Sequence, residues 1–121
     1  MRTVEARNAD RGTVLGGRVR VADSWWTRLR GLLGRPPLAK GEGLLIEPCR
    51  AVHMAGMKYP IDVAFLAPDG AVVALYRGLA PGARTGWHRT ARRALELPAG
   101  TIAATGTREG DVILCATQEQ P

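Results

Sequence analysis

Serine occurs once in the 121 residues, as Ser24, and cysteine twice, as Cys49 and Cys115. With no Gly-x-Ser-x-Gly elbow and no feature that activates either thiol, hydrolysis through a covalent intermediate has no nucleophile to start from. Two distant cysteines form neither a metal knuckle nor a disulfide framework, and they read as small buried apolar residues. No apolar run approaches the roughly 20 residues needed to cross a bilayer, so no membrane insertion is expected. The fifteen glycines include no Gly-x-Gly-x-x-Gly after a strand and no Lys-containing phosphate loop, which removes nucleotide binding. The opening residues Met1 to Arg7 lack the apolar centre of a secretory signal, and a cytoplasmic location is the expectation.

What is abundant is arginine. Lys and Arg total 17 against 11 Asp and Glu, a net charge of +6, and only Lys40 and Lys58 are lysine. Such a balance suits a polyanionic partner, yet arginine dispersed among many Ala and Gly residues equally resembles the coding bias of a GC-rich genome. At this length one hydrophobic core is feasible without covalent staples, and residues 1–121 read as a single domain, monomeric or weakly self-associating.

Hydrophobic periodicity predicts short strands and one good helix. One or two strands fill 3–21, with Gly12, Gly16 and Gly17 among them. Asp23 or Ser24 caps a helix whose Trp25, Trp26, Leu29, Leu32 and Leu33 form one apolar face, predicted to pack on the core or its rim. Gly34 and Pro36-Pro37 end it. Further strands are predicted at 44–46, 61–67, 71–76, 94–97 and 112–116. The Pro68-Asp69-Gly70 turn joins the 61–67 and 71–76 strands into a hairpin, 78–86 is loop, and 100–106 is a short helical or irregular connection. Asp111 is placed to accept turn amides, and the polar tail 117–121 is expected to fray. The fold class is mainly β (α+β): a small β-barrel or two packed antiparallel sheets of about seven to eight short strands, with one amphipathic helix near residues 24–33.

Four ordered stretches carry a family resemblance. They are Pro48-Cys49-Arg50-Ala51-Val52-His53-Met54-Ala55-Gly56-Met57-Lys58-Tyr59-Pro60-Ile61-Asp62, continuing to Leu66; Trp26 to Gly34; Ala94-Leu95-Glu96-Leu97-Pro98-Ala99-Gly100; and Gly110-Asp111. Together, over about residues 18 to 115, the chain resembles the domain-of-unknown-function 192 family. The resemblance implies a small compact β-rich domain and brings no established activity. It also marks two departures, Met54-Ala55 and Thr85-Gly86-Trp87, at which nothing is carried over.

Cys49, His53, Met54 and Met57 are the donor types a soft ion prefers. In an extended segment, though, residues four apart are separated by about 13 Å at roughly 3.3 Å each. Gly56 and Pro60 disfavour a helix that would gather them, so packing is expected and no metal or cofactor is assigned. Asp62 lies on a buried strand beside Ala64 and Leu66. It must find His53, an Arg or turn amides, and is expected to lock the His53–Tyr59 loop onto the sheet.

Three readings follow. The first is a non-enzymatic binding domain for an unknown ligand or partner, its site near 49–62 and drawing on Arg50, His53, Asp62, Trp26, Arg28 and Glu96. The second is a small-substrate enzyme with a His53/Asp62 acid–base pair. The third is anion or nucleic-acid binding through Arg84, Trp87, Arg89, Arg92 and Arg93.

Overall fold

A computed structural model describes residues 2–117. The elements run β1 (Thr3–Asn8), β2 (Thr13–Ala22), α1 (Trp25–Arg30), β3 (Glu42–Ile46), β4 (Ile61–Leu66), β5 (Val72–Leu79), β6 (Arg93–Pro98), α2 (Thr101–Thr105) and β7 (Ile113–Thr117). Thr117 closes β7, and the rest of the tail expected to fray lies outside the described residues.

The strands form one sheet in the order β5-β4-β6-β3-β2-β1-β7. It is a single curled half-barrel rather than two packed sheets. Its edges meet at one end, where Ala71 bridges Val112 and the Ile113 amide donates to the Gly70 carbonyl at 2.9 Å. The named strand pairs are antiparallel except β2 with β3, because the crossover through α1 returns the chain in the same direction.

Strand alternation buries both faces. Val19, Leu45, Ala64, Leu66, Leu95 and Leu97 fill the inner, concave side. Ile46, Val52, Met54, Val63, Phe65 and Ala94 form a second core on the outer side. That outer core is roofed by the loops either side of β5 and β4. The 52–54 and 82–85 segments exchange backbone bonds, Met54 N–H to Ala83 carbonyl and Thr85 N–H to Val52 carbonyl. His88 packs against Phe65 with its ring tilted by 41° at 4.6 Å between centroids and shares a 2.7 Å hydrogen bond with the Tyr76 hydroxyl.

This roof explains two departures from the sequence reading. The helix has Ser24 as its cap, in a reciprocal capping box with Thr27, but Gly31 at φ 51° stops it after six residues. The outer core beneath is already covered by the loops, so Trp25, Trp26, Leu29 and Leu33 stay exposed and only Leu32 of the apolar stripe is buried. Secondly, the 53–59 loop is held by the 82–85 backbone and not by Asp62.

Asp62 instead fastens the inner side. Its Oδ1 accepts from the Gly78 amide at 2.8 Å, and its Oδ2 from Gly100 at 3.2 Å and Ile102 at 2.8 Å, which anchors α2. At the half-barrel's other end Asp111 accepts from the Arg108 amide, as the turn sequence suggested, and also from Asn8 and Arg11. The Arg11 guanidinium, then Asn8 and the Arg108 amide, hold its carboxyl down at about 2.

Replacing Asp62 with Asn puts an NH2 against inward-pointing amides and leaves buried donors unmet. Asp62→Asn is expected to cost about 3 kcal/mol in urea unfolding. A loss below about 0.5 kcal/mol would contradict this role.

Candidate functional site

Glu96 sits in the middle of β6, opposite Leu44 of β3 and Val63 of β4. Alternation therefore turns it outward, into the core under the loops, while its neighbours Leu95 and Leu97 turn inward. It is 5% exposed, and among the described residues no hydrogen-bond or ion-pair partner meets its carboxyl. Burial pushes it up from 4.5 to about 7.

The carboxyl faces a cavity of about 140 Å³ between α1 with its following turn, the 49–57 loop and the sheet. Leu29, Leu32, Val52, Met54 and Ile61 give apolar walls, and Arg28, Arg30 and His53 stand at its border. An outer cavity of about 330 Å³ shares Arg28, Leu29, Ile46, Cys49 and Ala51 with the first, and adds Trp25, Trp87 and Arg50. The two form one cleft, cationic and aromatic at its mouth, apolar within, and with a single acid at its floor.

The structure thus brings Arg28, Arg50, His53 and Glu96 to one cleft. Arg50 is fixed by its Nε donating to the Arg89 carbonyl at 3.1 Å. Trp26 lines a separate surface hollow with Leu33 and Arg35. Asp62 lies on the opposite face of the sheet, its oxygens engaged by three amides, and makes no hydrogen bond to His53. An acid–base pair is not assembled.

The basic stretch is also divided. Arg84 bridges His53 in the roof, Arg92 pairs with Glu47 at 3.4 Å, and Arg93 turns to the inner face beside Cys115. Trp87 alone of the five joins the cleft, while Arg89 touches it through its backbone.

Cys49, His53, Met54 and Met57 do border the inner cavity. Met54 is buried in the core, however, and the Cys49 Sγ donates to the Ala51 carbonyl at 3.2 Å. Burial, chiefly, pushes that thiol up, so it is no activated nucleophile. Among the described residues no three His, Cys, Asp or Glu side chains gather closely enough to hold a metal ion.

Ile46 was missed as a cleft residue, and Trp25 and Leu29, on the helix expected to bound the cleft, were expected to pack on the core or its rim. The available signal was weak: an apolar helix face reads as core unless something else already covers the sheet.

A mainly β half-barrel with a loop-roofed outer core and a cleft over one buried acid is the class that fold and site define. The chain belongs to the domain-of-unknown-function 192 family, described as "Uncharacterized ACR", which it matches over residues 5–115. A crystal structure from Sinorhizobium meliloti, of a protein proposed as a transcription regulator, is 27% identical. It has a TM-score of 0.79, with 94% of this chain and 92% of that one covered. A protein of unknown function from Novosphingobium aromaticivorans shares the fold at 20% identity and a TM-score of 0.75, over 93% and 83%. No curated protein matches the chain.

The raised Glu96 value has a consequence for stability. Below about 4.5 both the folded and unfolded chains hold the proton. As pH rises toward 7 the unfolded chain releases it first, so stability falls until the folded group also ionises. Relative to Glu96→Gln, the natural chain should lose on the order of 3 kcal/mol between about pH 4.5 and 7.5, measured by urea unfolding. Parallel profiles for the two chains would contradict the assignment.

Proposed function

We propose that the chain is a single, non-enzymatic binding domain whose cleft takes a small ligand with an apolar body and a hydrogen-bond donor, the donor meeting Glu96. One observation carries this reading: a buried carboxyl without a partner opens onto a cavity. An unpaired acid costs folding free energy, and a ligand donor would recover it. The inner cavity is close in volume to engineered cavities of about 150 Å³ that hold benzene, which sizes the part of the ligand that enters. Ile46, Val52 and Met54 would pack on its body, Arg28 and Arg50 would meet any acidic group left in the outer cavity, and His53 would border the entrance.

Catalysis has less support. The cleft contains no activated nucleophile, and the only candidate general base with a displaced proton affinity is Glu96 itself, with no reacting partner beside it. The transcription-regulator description of the Sinorhizobium meliloti protein would ask for a nucleic-acid surface here. The division of the 84–93 arginines between roof, ion pair and inner face argues against that stretch supplying one.

Benzylamine, benzyl alcohol and toluene test the reading, as equal bodies with and without a donor. Amide resonances of Val52, Met54 and Ala55 should shift saturably with the first two and less with toluene. Benzylamine should bind more tightly once pH exceeds about 7, where Glu96 is ionised. Glu96→Leu should abolish the preference for donors. Shifts at no cleft residue, or an unchanged order of affinities in Glu96→Leu, would reject the proposal.

A further inference from the structure

The seven large apolar side chains left exposed among the described residues are not scattered. Five of them, Trp25, Trp26, Leu29, Leu33 and Trp87, fall in one region. Leu29 links the group, since it lines the outer cavity with Trp25 and Trp87 and the neighbouring hollow with Trp26 and Leu33. All three tryptophans of the chain are there, at 66%, 71% and 71% exposure in sequence order. Exposed indoles in contiguity, far from the core, mark a surface that meets something else.

Charge says what kind of surface that is. The three segments that meet here, 24–41, 48–61 and 80–95, contain four, two and four Lys or Arg and no Asp or Glu. Arg28 and Arg50 border the first hollow, Arg30 and Arg35 the second. Of the acids beside these segments, Glu96 is buried, Glu47 pairs with Arg92, and Asp23 precedes the cap of α1, leaving the face net positive. The complement is therefore anionic and has apolar depth.

We propose that this face docks on the headgroup layer of an anionic lipid bilayer, with Trp25, Trp26, Trp87 and Leu29 entering the interface and the surrounding arginines meeting lipid phosphates. Indole is the side chain that best suits the boundary between headgroups and acyl chains, and arginines around an apolar patch add attraction to anionic lipid. Adjacent Trp25 and Trp26 leave a helix about 100° apart, and their rings meet edge to face at 5.2 Å. A deformable layer covers two such divergent rings together, whereas a rigid partner would need a matching pit for each. Single-stranded nucleic acid would use the indoles and arginines, but aliphatic Leu29 and Leu33 offer bases nothing to stack on. Docking in this way asks for no spanning helix, and among the described residues no helix is long and apolar enough to cross a membrane. It shares Trp25, Arg28, Leu29, Arg50 and Trp87 with the mouth of the Glu96 cleft but does not call on Glu96, so Glu96→Leu should leave vesicle binding intact while removing the donor preference.

The test uses the full chain with phosphatidylcholine vesicles, with and without phosphatidylglycerol, and a single-stranded oligonucleotide as a second polyanion. The protein should sediment with the phosphatidylglycerol vesicles and much less with phosphatidylcholine alone. Because every tryptophan lies in the patch, emission should move to the blue on binding and be quenched by lipids brominated on the acyl chain. Trp26→Ala, outside the cleft and on the surface, should keep the fold and lower vesicle affinity about threefold or more. No sedimentation, or equal binding to both vesicles, would overturn the proposal. So would binding with unmoved emission that Trp26→Ala leaves intact and the oligonucleotide reproduces, since that is charge attraction alone.

Discussion

Two carboxyl groups buried within one register step of each other, on opposite faces of one sheet, organise this molecule. In the pairing of β4 with β6, Asp62 stands opposite Leu97 and Val63 opposite Glu96. Asp62 is fully enclosed, and Glu96, 5% exposed, meets solvent only through the cleft. A buried carboxyl must be paired, hydrogen-bonded or neutral, and the fold takes a different route on each side. On the inner face three backbone amides converge on Asp62, fixing the end of β5 and the start of α2. On the outer face Glu96 receives nothing from the described residues, and the space before it is open. One acid is engaged by the backbone, the other is left without a partner among the described residues.

The outer face has this opening because loops, not a second layer of secondary structure, cover it. The 52–54 and 82–85 segments lock to each other through backbone bonds, and Val52, Met54 and Ala91 seal most of the outer core. Helix α1 rests at the rim. Its six residues bury none of their own side chains, and the turn that follows contributes Leu32 to the core. The same arrangement that leaves a gap over Glu96 also leaves two tryptophans and Leu29 of α1 in solvent. Cleft and exposed apolar face have one origin, a short helix lying over a core already filled.

Much of the strand plan was legible in the residues. Alternation placed β4 and β6 within a residue at each end, though β5 runs on to Leu79 into the stretch read as loop; Ser24 capped where a cap was expected, and Gly110-Asp111 made its turn with the carboxylate accepting an amide. The number of sheets and the parallel β2–β3 pair were not legible, because strand periodicity records faces and not neighbours. The fate of the helix was misread for a related reason. Spacing shows that Trp25, Trp26, Leu29, Leu32 and Leu33 share a side, but it cannot show that the loops have taken the place they would fill. Among the candidate site residues, Arg28, Arg50, His53 and Glu96 came together. Asp62 had attracted attention as a charge within an apolar strand, whereas Glu96, in the same pattern of Leu95-Glu96-Leu97, was named for the cleft without its burial being read. Which of two such acids finds amides depends on the backbone at Gly78 and Gly100, 16 and 38 residues from Asp62.

The central claim is that Glu96 is buried, unpartnered and open to a cleft. Its carboxyl carbon can be followed directly in a carbon-13 titration of the full chain, with Glu96→Gln used to assign the resonance. A midpoint close to 7 is what burial without a partner requires. A midpoint at the ordinary value near 4.5 would mean that the group is solvated or paired, and the account of the cleft would be wrong.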